Sequence, residues 1–334
     1  MIARRLRASL RGWGGVGAMA VACAVALVFA LLLPLSDAHG EGGAGPGGQG
    51  LGRGTQAKAE KCTDPQDRSP APSSADGPTI EAIKARKDRR LIVGVDQNSY
   101  RWGYRDPNSP KAGSDLEGFD IDLVHAIAKD ILGDPDAVQF RAIPTSQRIS
   151  AVKDGTVDMV VRTMTITCER LDEVAFSAPY FTTGQQVLAP DSSSITGYDK
   201  SLAGKRICAA SGSTAFDKLK TDKTVGSATV IAVPNQLDCL VRLQLGEADA
   251  VVTDGALAAS QAAQDPTVRL KGDTFTTEYY GVAMRKDAGD LVRRVNQILA
   301  DYRKDGWRQS YDKWLAPTLK DDSPSKEPPT VHYE

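Results

Sequence analysis

Histidine is scarce, at three among 334 residues, and each stands badly for chemistry. His39 falls near the N-terminal apolar run, His332 near the C-terminus, and His125 on the outer side of an amphipathic pattern. No His/Asp/Ser set, metal-ligand spacing or glycine-rich nucleotide loop accompanies them, so a catalytic centre, a metal and a cofactor are not expected. An excess of one charge is also missing. Lys plus Arg number 41 and Asp plus Glu 42, which excludes a global field that would draw the chain to nucleic acid or an acidic membrane. Any charge selectivity must be local. Of the five cysteines none forms a Cys-x-x-Cys pair, so zinc and redox motifs are excluded.

What is present begins with an export signature. Arg4, Arg5, Arg7 and Arg11 precede an apolar run from Val16 to Leu35 that ends at small residues, Ser36 and Ala38. Residues 1–38 therefore read as a signal peptide or a membrane anchor. Ser-x-Ala suits signal peptidase, and Ala20-Val21-Ala22-Cys23 loosely resembles a lipobox, although apolar residues continue after it. A run of about 20 apolar residues also suffices for an uncleaved anchor. All three leave the protein outside the cytoplasm, secreted or attached to the outer face of the membrane. There thiols tend toward disulfides. Of the three connectivities open to Cys62, Cys168, Cys208 and Cys239, we favour Cys208 with Cys239, inside one lobe. Cys62 with Cys168 would then staple the N-terminal extension to the other lobe; free buried thiols are the alternative.

Residues 39–78 are rich in Gly, Pro, Ser and Ala and predict a flexible linker, and residues 317–334 a disordered tail. Between them short apolar strands alternate with amphipathic helices, which defines an α/β class. Strands are expected at 91–95, 137–142 and 157–161 and helices at 119–132 and 147–153. Leu123, Val124, Ile127, Ala128 and Ile131 make one core-facing stripe. A second series repeats the pattern, with strands at 206–210, 229–233 and 250–252 and helices at 214–220 and 236–245. Two similar lobes follow, with a strand-like stretch at 279–284 and helices at 291–304 and 307–315 left to place.

In open α/β sheets ligands gather beyond the carboxyl ends of strands, where loops lead into helix N-termini. Four loops qualify: Asp96-Gln97-Asn98, Thr145 to Arg148, Thr163 to Arg170, and Ser211 to Thr214. Arg170 supplies a fork for a carboxylate, with hydroxyls at Thr163, Thr165 and Thr167 beside it. Asp254, at the end of a strand, suits an ammonium. Each has a plainer reading as a salt-bridge residue or a helix cap.

The sequence resembles the polar amino acid binding proteins of ABC importers, extracellular solute-binding protein family 3, nearest to the glutamate, aspartate and glutamine binders. The resemblance spans about residues 88–316. It rests on Gly118-Phe119-Asp120-Ile121-Asp122-Leu123, on Asp158 with Thr163-Met164-Thr165-Ile166-Thr167-Cys168-Glu169-Arg170, on Phe176-Ser177-Ala178-Pro179-Tyr180, on Leu202-Ala203-Gly204-Lys205, and on Ala248 to Asp254. It implies a two-lobed periplasmic-binding-protein fold of type II with a hinge of two crossing strands, lobe 1 at 80–183 plus 282–316 and lobe 2 at 184–281.

By motif position Arg170 would hold the α-carboxylate with Thr165, Ser213 and the Thr214 backbone N–H, and Asp254 the α-ammonium. Thr145-Ser146-Gln147-Arg148-Ile149 looks like the stretch that reads a distal carboxylate, with Arg162 one strand over, so two spare cations favour an acidic amino acid. Asn98 and Gln97 leave an amide open, and surface placement of both arginines is the plain alternative. Where many relatives stack an aromatic on the ligand this chain has Ser99 and Thr145; Tyr100 or Trp102 are the candidates to replace it. The expected function is capture of glutamate or aspartate by a monomer that delivers it to a membrane permease. A membrane-tethered amino acid sensor is the alternative, and an enzyme of the same fold a remote one.

Overall fold

The computed structural model describes residues 62–108, 116–319 and 324–334. The chain enters lobe 1 through α1 (Pro78–Lys84) and β1 (Leu91–Val95), then a hairpin of β2 (Asn98–Ser99) and β3 (Gly103–Tyr104). There follow α2 (Phe119–Leu132), β4 (Val138–Ala142), α3 (Arg148–Lys153), β5 (Met159–Val160), α4 (Cys168–Leu171) and β6 (Ala175–Phe176). After β7 (Phe181–Thr183), lobe 2 takes β8 (Gln185–Pro190), β9 (Arg206–Ala210), α5 (Thr214–Thr221), β10 (Thr229–Val233) and α6 (Gln236–Gln244). It is completed by β11 (Ala250–Asp254), α7 (Gly255–Ala262) and β12 (Val268–Lys271). Then β13 (Glu278–Tyr280) leads back to β14 (Ala283–Met284), α8 (Gly289–Tyr302) and α9 (Gly306–Trp314) in lobe 1.

Each lobe is a five-stranded sheet, ordered β4-β1-β5-β14-β6 and β10-β9-β11-β8-β12. In both, three parallel strands are joined through helices, and the strand arriving from the other lobe inserts antiparallel beside the third. The lobes are thus topological copies, as the repeated sequence pattern implies. Between them β7 and β13 run antiparallel, pairing Glu278 with Thr183 and Tyr280 with Phe181, and form the two-strand hinge. The stretch expected as one strand over 279–284 is broken at Gly281, where a Cβ would come 2.8 Å from Ile166 Cδ1. The break lets the chain turn from the hinge into sheet 1.

The α2 stripe packs into the lobe 1 core with Leu91, Val93 and Val295. An aromatic cluster anchors the hinge to that core: the Trp102 ring lies 4.9 Å from Phe181 and 5.7 Å from Tyr280, and Phe119 is 5.7 Å from Trp307. Offset and edge contacts of this kind add to area burial.

The two tails depart from expectation. The N-terminal linker is ordered from Cys62 onward: Ser69 is buried, its hydroxyl donates to Phe176 O at 2.9 Å, and Asn296 donates to Ser69 Oγ and Pro70 O. At the other end Ser325 is buried, and Glu334 reaches Ser69 O through its backbone N–H and Arg68 through its side chain. Composition measures what a segment can bury alone, and these segments instead dock on a finished body that supplies their partners. Residues 1–38, including Cys23, and the linker as far as residue 61 lie outside the described residues. No helix among the described residues is long and apolar enough to cross a membrane.

Disulfides join Cys62 to Cys168 and Cys208 to Cys239. The first ties the N-terminal arm to α4, and the second links β9 to α6 within lobe 2.

Candidate functional site

The loops singled out in the sequence meet where the lobes face each other. Arg148, Thr163, Thr165 and Arg170 of lobe 1 and Ser213, Thr214, Ala215, Gln236, Thr253 and Asp254 of lobe 2 line one narrow cavity. It has space for about one water. The lobes touch across it. Thr145 N donates to Pro234 O at 3.2 Å, and Thr145 Oγ1 lies 3.3 Å from Gln236 Oε1.

Arg170 stands on α4, whose N-cap Thr167 accepts from the Arg170 backbone N–H. Its guanidinium donates to Thr165 O at 2.6 Å and across the cleft to Gly212 O at 3.0 Å. Arg148 at the start of α3 donates to Thr145 O, Arg162 O and Thr163 O, and to the same Gly212 O at 3.1 Å. Two guanidiniums therefore converge on one carbonyl oxygen. Burial pushes the pKa of Arg148 well down and the nearby Arg170 charge adds to the effect; burial likewise lowers Arg170. Among the described residues Arg148 has only carbonyl partners and no carboxylate in ion-pair contact.

Arg162 and Asp96 are different. Arg162 is fully buried, pairs with Asp96 at 2.7 Å and donates to Thr145 Oγ1 and Asn235 Oδ1. Asp96 also accepts from the backbone N–H of Gln97 and Asn98 and from Ser99 Oγ. Neither lines the cavity. Of the two cations read as spare, Arg162 is therefore matched by Asp96, a pairing across 66 positions that no local pattern announces. The surface placement weighed for both arginines fails as well, since each is buried. Asn98 and Gln97 serve Asp96 through their backbones and stay off this wall. Trp102 is sequestered in the hinge core, and Tyr100 packs against Tyr104, so neither replaces a stacking aromatic here.

Asp254 caps α7 by position, yet its side chain makes no cap bond and accepts from Tyr280 OH instead. Burial, then the negative Glu278, raise its pKa to about 7. Glu278 and Tyr280 escaped sequence reading because a three-residue strand carries no periodicity. Thr163, at φ +41°, turns its N–H onto Asp120 Oδ2, and Asp120, pushed by burial to about 7, also accepts from Tyr180 OH. This strained corner directs the 163–170 loop into the cleft.

Two lobes hinged by crossing strands, facing each other across a pocket of buried cations and a buried carboxylate, define a solute-binding protein of the type II class. The chain belongs to the bacterial extracellular solute-binding proteins, family 3, which matches residues 91–317. It is 34% identical over 238 residues to an ABC transporter glutamine-binding protein of Bacillus subtilis, covering 71% of this chain and 84% of that one. It is 27% identical over 248 residues to a glutamate-binding protein of Corynebacterium efficiens, covering 72% and 82%. The solved solute receptor for L-cysteine of Neisseria gonorrhoeae superposes with a TM-score of 0.67 at 28% identity, over 73% of this chain and 98% of that one.

Proposed function

We propose that this protein captures a free acidic amino acid, glutamate or aspartate, outside the cell by cleft closure and delivers it as a monomer to an ABC permease. In this reading Arg170 takes the α-carboxylate with Thr165, Ser213 and Thr214, and Asp254 takes the α-ammonium. Arg148 faces the distal carboxylate. The observation that carries it is the convergence of Arg148 and Arg170 on Gly212 O. A carbonyl oxygen satisfies donors but not charge, and a ligand carboxylate offers the stronger, charge-assisted partner. Buried charge is tolerated when paired, and a dicarboxylate amino acid supplies two anions for two guanidiniums and an ammonium for Asp254.

Glutamine is the second reading, favoured by the Bacillus relative's own ligand. Thermal shift against glutamate, aspartate, glutamine and asparagine separates them, because ligand at 100 times Kd stabilises by about 2.7 kcal/mol. Arg148→Ala should then weaken glutamate more than glutamine. Equal losses would remove Arg148 from side-chain recognition.

A further inference from the structure

Glu278 lies behind the cavity and not on its wall. It opens the hinge strand β13, is 5% exposed, and receives Gln185 Nε2 at 2.8 Å and Thr276 Oγ1 at 3.1 Å on one oxygen. Its other oxygen accepts from Thr214 Oγ1 at 3.2 Å. Thr214 is the first residue of α5, so this carboxylate sits beside the positive end of a helix whose N-cap Ser213 and first residue Thr214 both line the cavity. The sequence pattern offers that helix end to a ligand carboxylate. Here a carboxylate of the protein already stands near it.

Its charge reaches the wall. Glu278 is the leading electrostatic support of the Arg170 guanidinium and, after burial, the leading cause of the raised Asp254 pKa. With Asp254 ionised opposite a ligand ammonium, Arg148 and Arg170 leave the wall a surplus of one positive charge that would favour an acidic amino acid strongly over its amide. Counting Glu278, the set balances at two of each sign.

We propose that Glu278 is a hidden counter-charge that sets the acid-against-amide preference of this pocket, holding glutamate and glutamine closer in affinity than the two arginines alone would. The inference rests on the amino acid reading given above. Removing the charge while keeping the shape should therefore sharpen the preference for the acid. Glu278→Gln suits that purpose, because Gln185 Oε1 is buried without a partner and can accept from the new amide.

The test compares Kd for L-glutamate and L-glutamine by calorimetry in the exported protein, its Glu278→Gln variant and a Glu278→Ala variant. The ratio Kd(glutamine)/Kd(glutamate) is expected to rise about tenfold in both, the size of one screened buried charge. A ratio that stays put or falls overturns the proposal. If the parent protein binds neither ligand, it is the amino acid reading that fails, and carboxyl-carbon NMR of the ligand-free protein decides the counter-charge alone. There the Asp254 midpoint should move down in either variant, and an unmoved midpoint would overturn it.

Discussion

At the scale of single residues the site is a problem of matched charge. Arg170 gives its two nitrogens to backbone oxygens, Thr165 O and Gly212 O, while facing the cavity. Arg170→Ala would leave a ligand carboxylate buried without its cation, so binding should weaken by roughly 3 to 5 kcal/mol. Micromolar binding retained by that variant in calorimetry would take Arg170 out of the site. Asp254 makes a second prediction, with a sign that can be worked out. Its folded pKa is raised to about 7, above the unfolded value near 3.8. Its contribution to stability is therefore complete below about pH 4 and is lost as pH rises through about 7. Amino acid binding runs the other way, because an ammonium needs the ionised carboxylate. Affinity should fall as pH drops from about 8 to about 6, by up to about tenfold per unit below the midpoint, with proton release on binding. A flat profile would mean that Asp254 does not hold the ammonium, whereas Asp254→Asn should abolish the slope along with most of the affinity. The place of Arg170 and Asp254 on the cavity wall is legible because each ends a recognisable loop or strand. The Arg162–Asp96 pair and Glu278 are not, because their partners come from distant segments and only packing brings them together.

At the scale of elements, the alternating pattern was enough for the long helices and central strands, since α2 and α8 carry unbroken apolar faces. It overran where strands shrink to two or three residues. Met159–Val160 is much shorter than the apolar stretch 157–161: the flanking Val157 and Val161 are buried in two separate core clusters, and their backbone N–H groups bond to Ala151 O and Gly94 O. The disulfide from β9 to α6 closes 31 residues containing α5 and β10, two elements at the edge of lobe 2. Both cysteines are fully buried among Leu188, Val251 and Leu240. Replacing them together by alanine should cost about 3 to 4 kcal/mol through the freed loop entropy, plus a smaller loss of packing. Calorimetric melting of the double variant checks this. A Tm equal to that of the parent would mean that strand and helix contacts alone hold the edge of lobe 2.

At the scale of the whole molecule, the two copies of one sheet topology are joined through β7 and β13, and backbone sets how near the lobes stand at the cleft. Gly212 lies at φ +78°, and a Cβ there would stand 2.8 Å from Ser146 Cα on the opposing lobe. Its carbonyl is also the oxygen on which Arg148 and Arg170 converge. A side chain at this position therefore meets rigid backbone and not a side-chain tip, and relief requires the lobes to part. Gly212→Ala should leave both lobe cores intact, at a cost of about 1 kcal/mol or more for the left-handed conformation. The same change should hold the cleft ajar. Since a ligand stabilises the closed state only by the contacts it gains there, affinity should fall at least about tenfold. Small-angle scattering at saturating ligand should then give a larger radius of gyration for the variant than for the parent. If the variant instead binds as tightly and scatters identically, closure onto Ser146 is not part of capture, and the two guanidiniums must reach a ligand in a wider arrangement of the lobes.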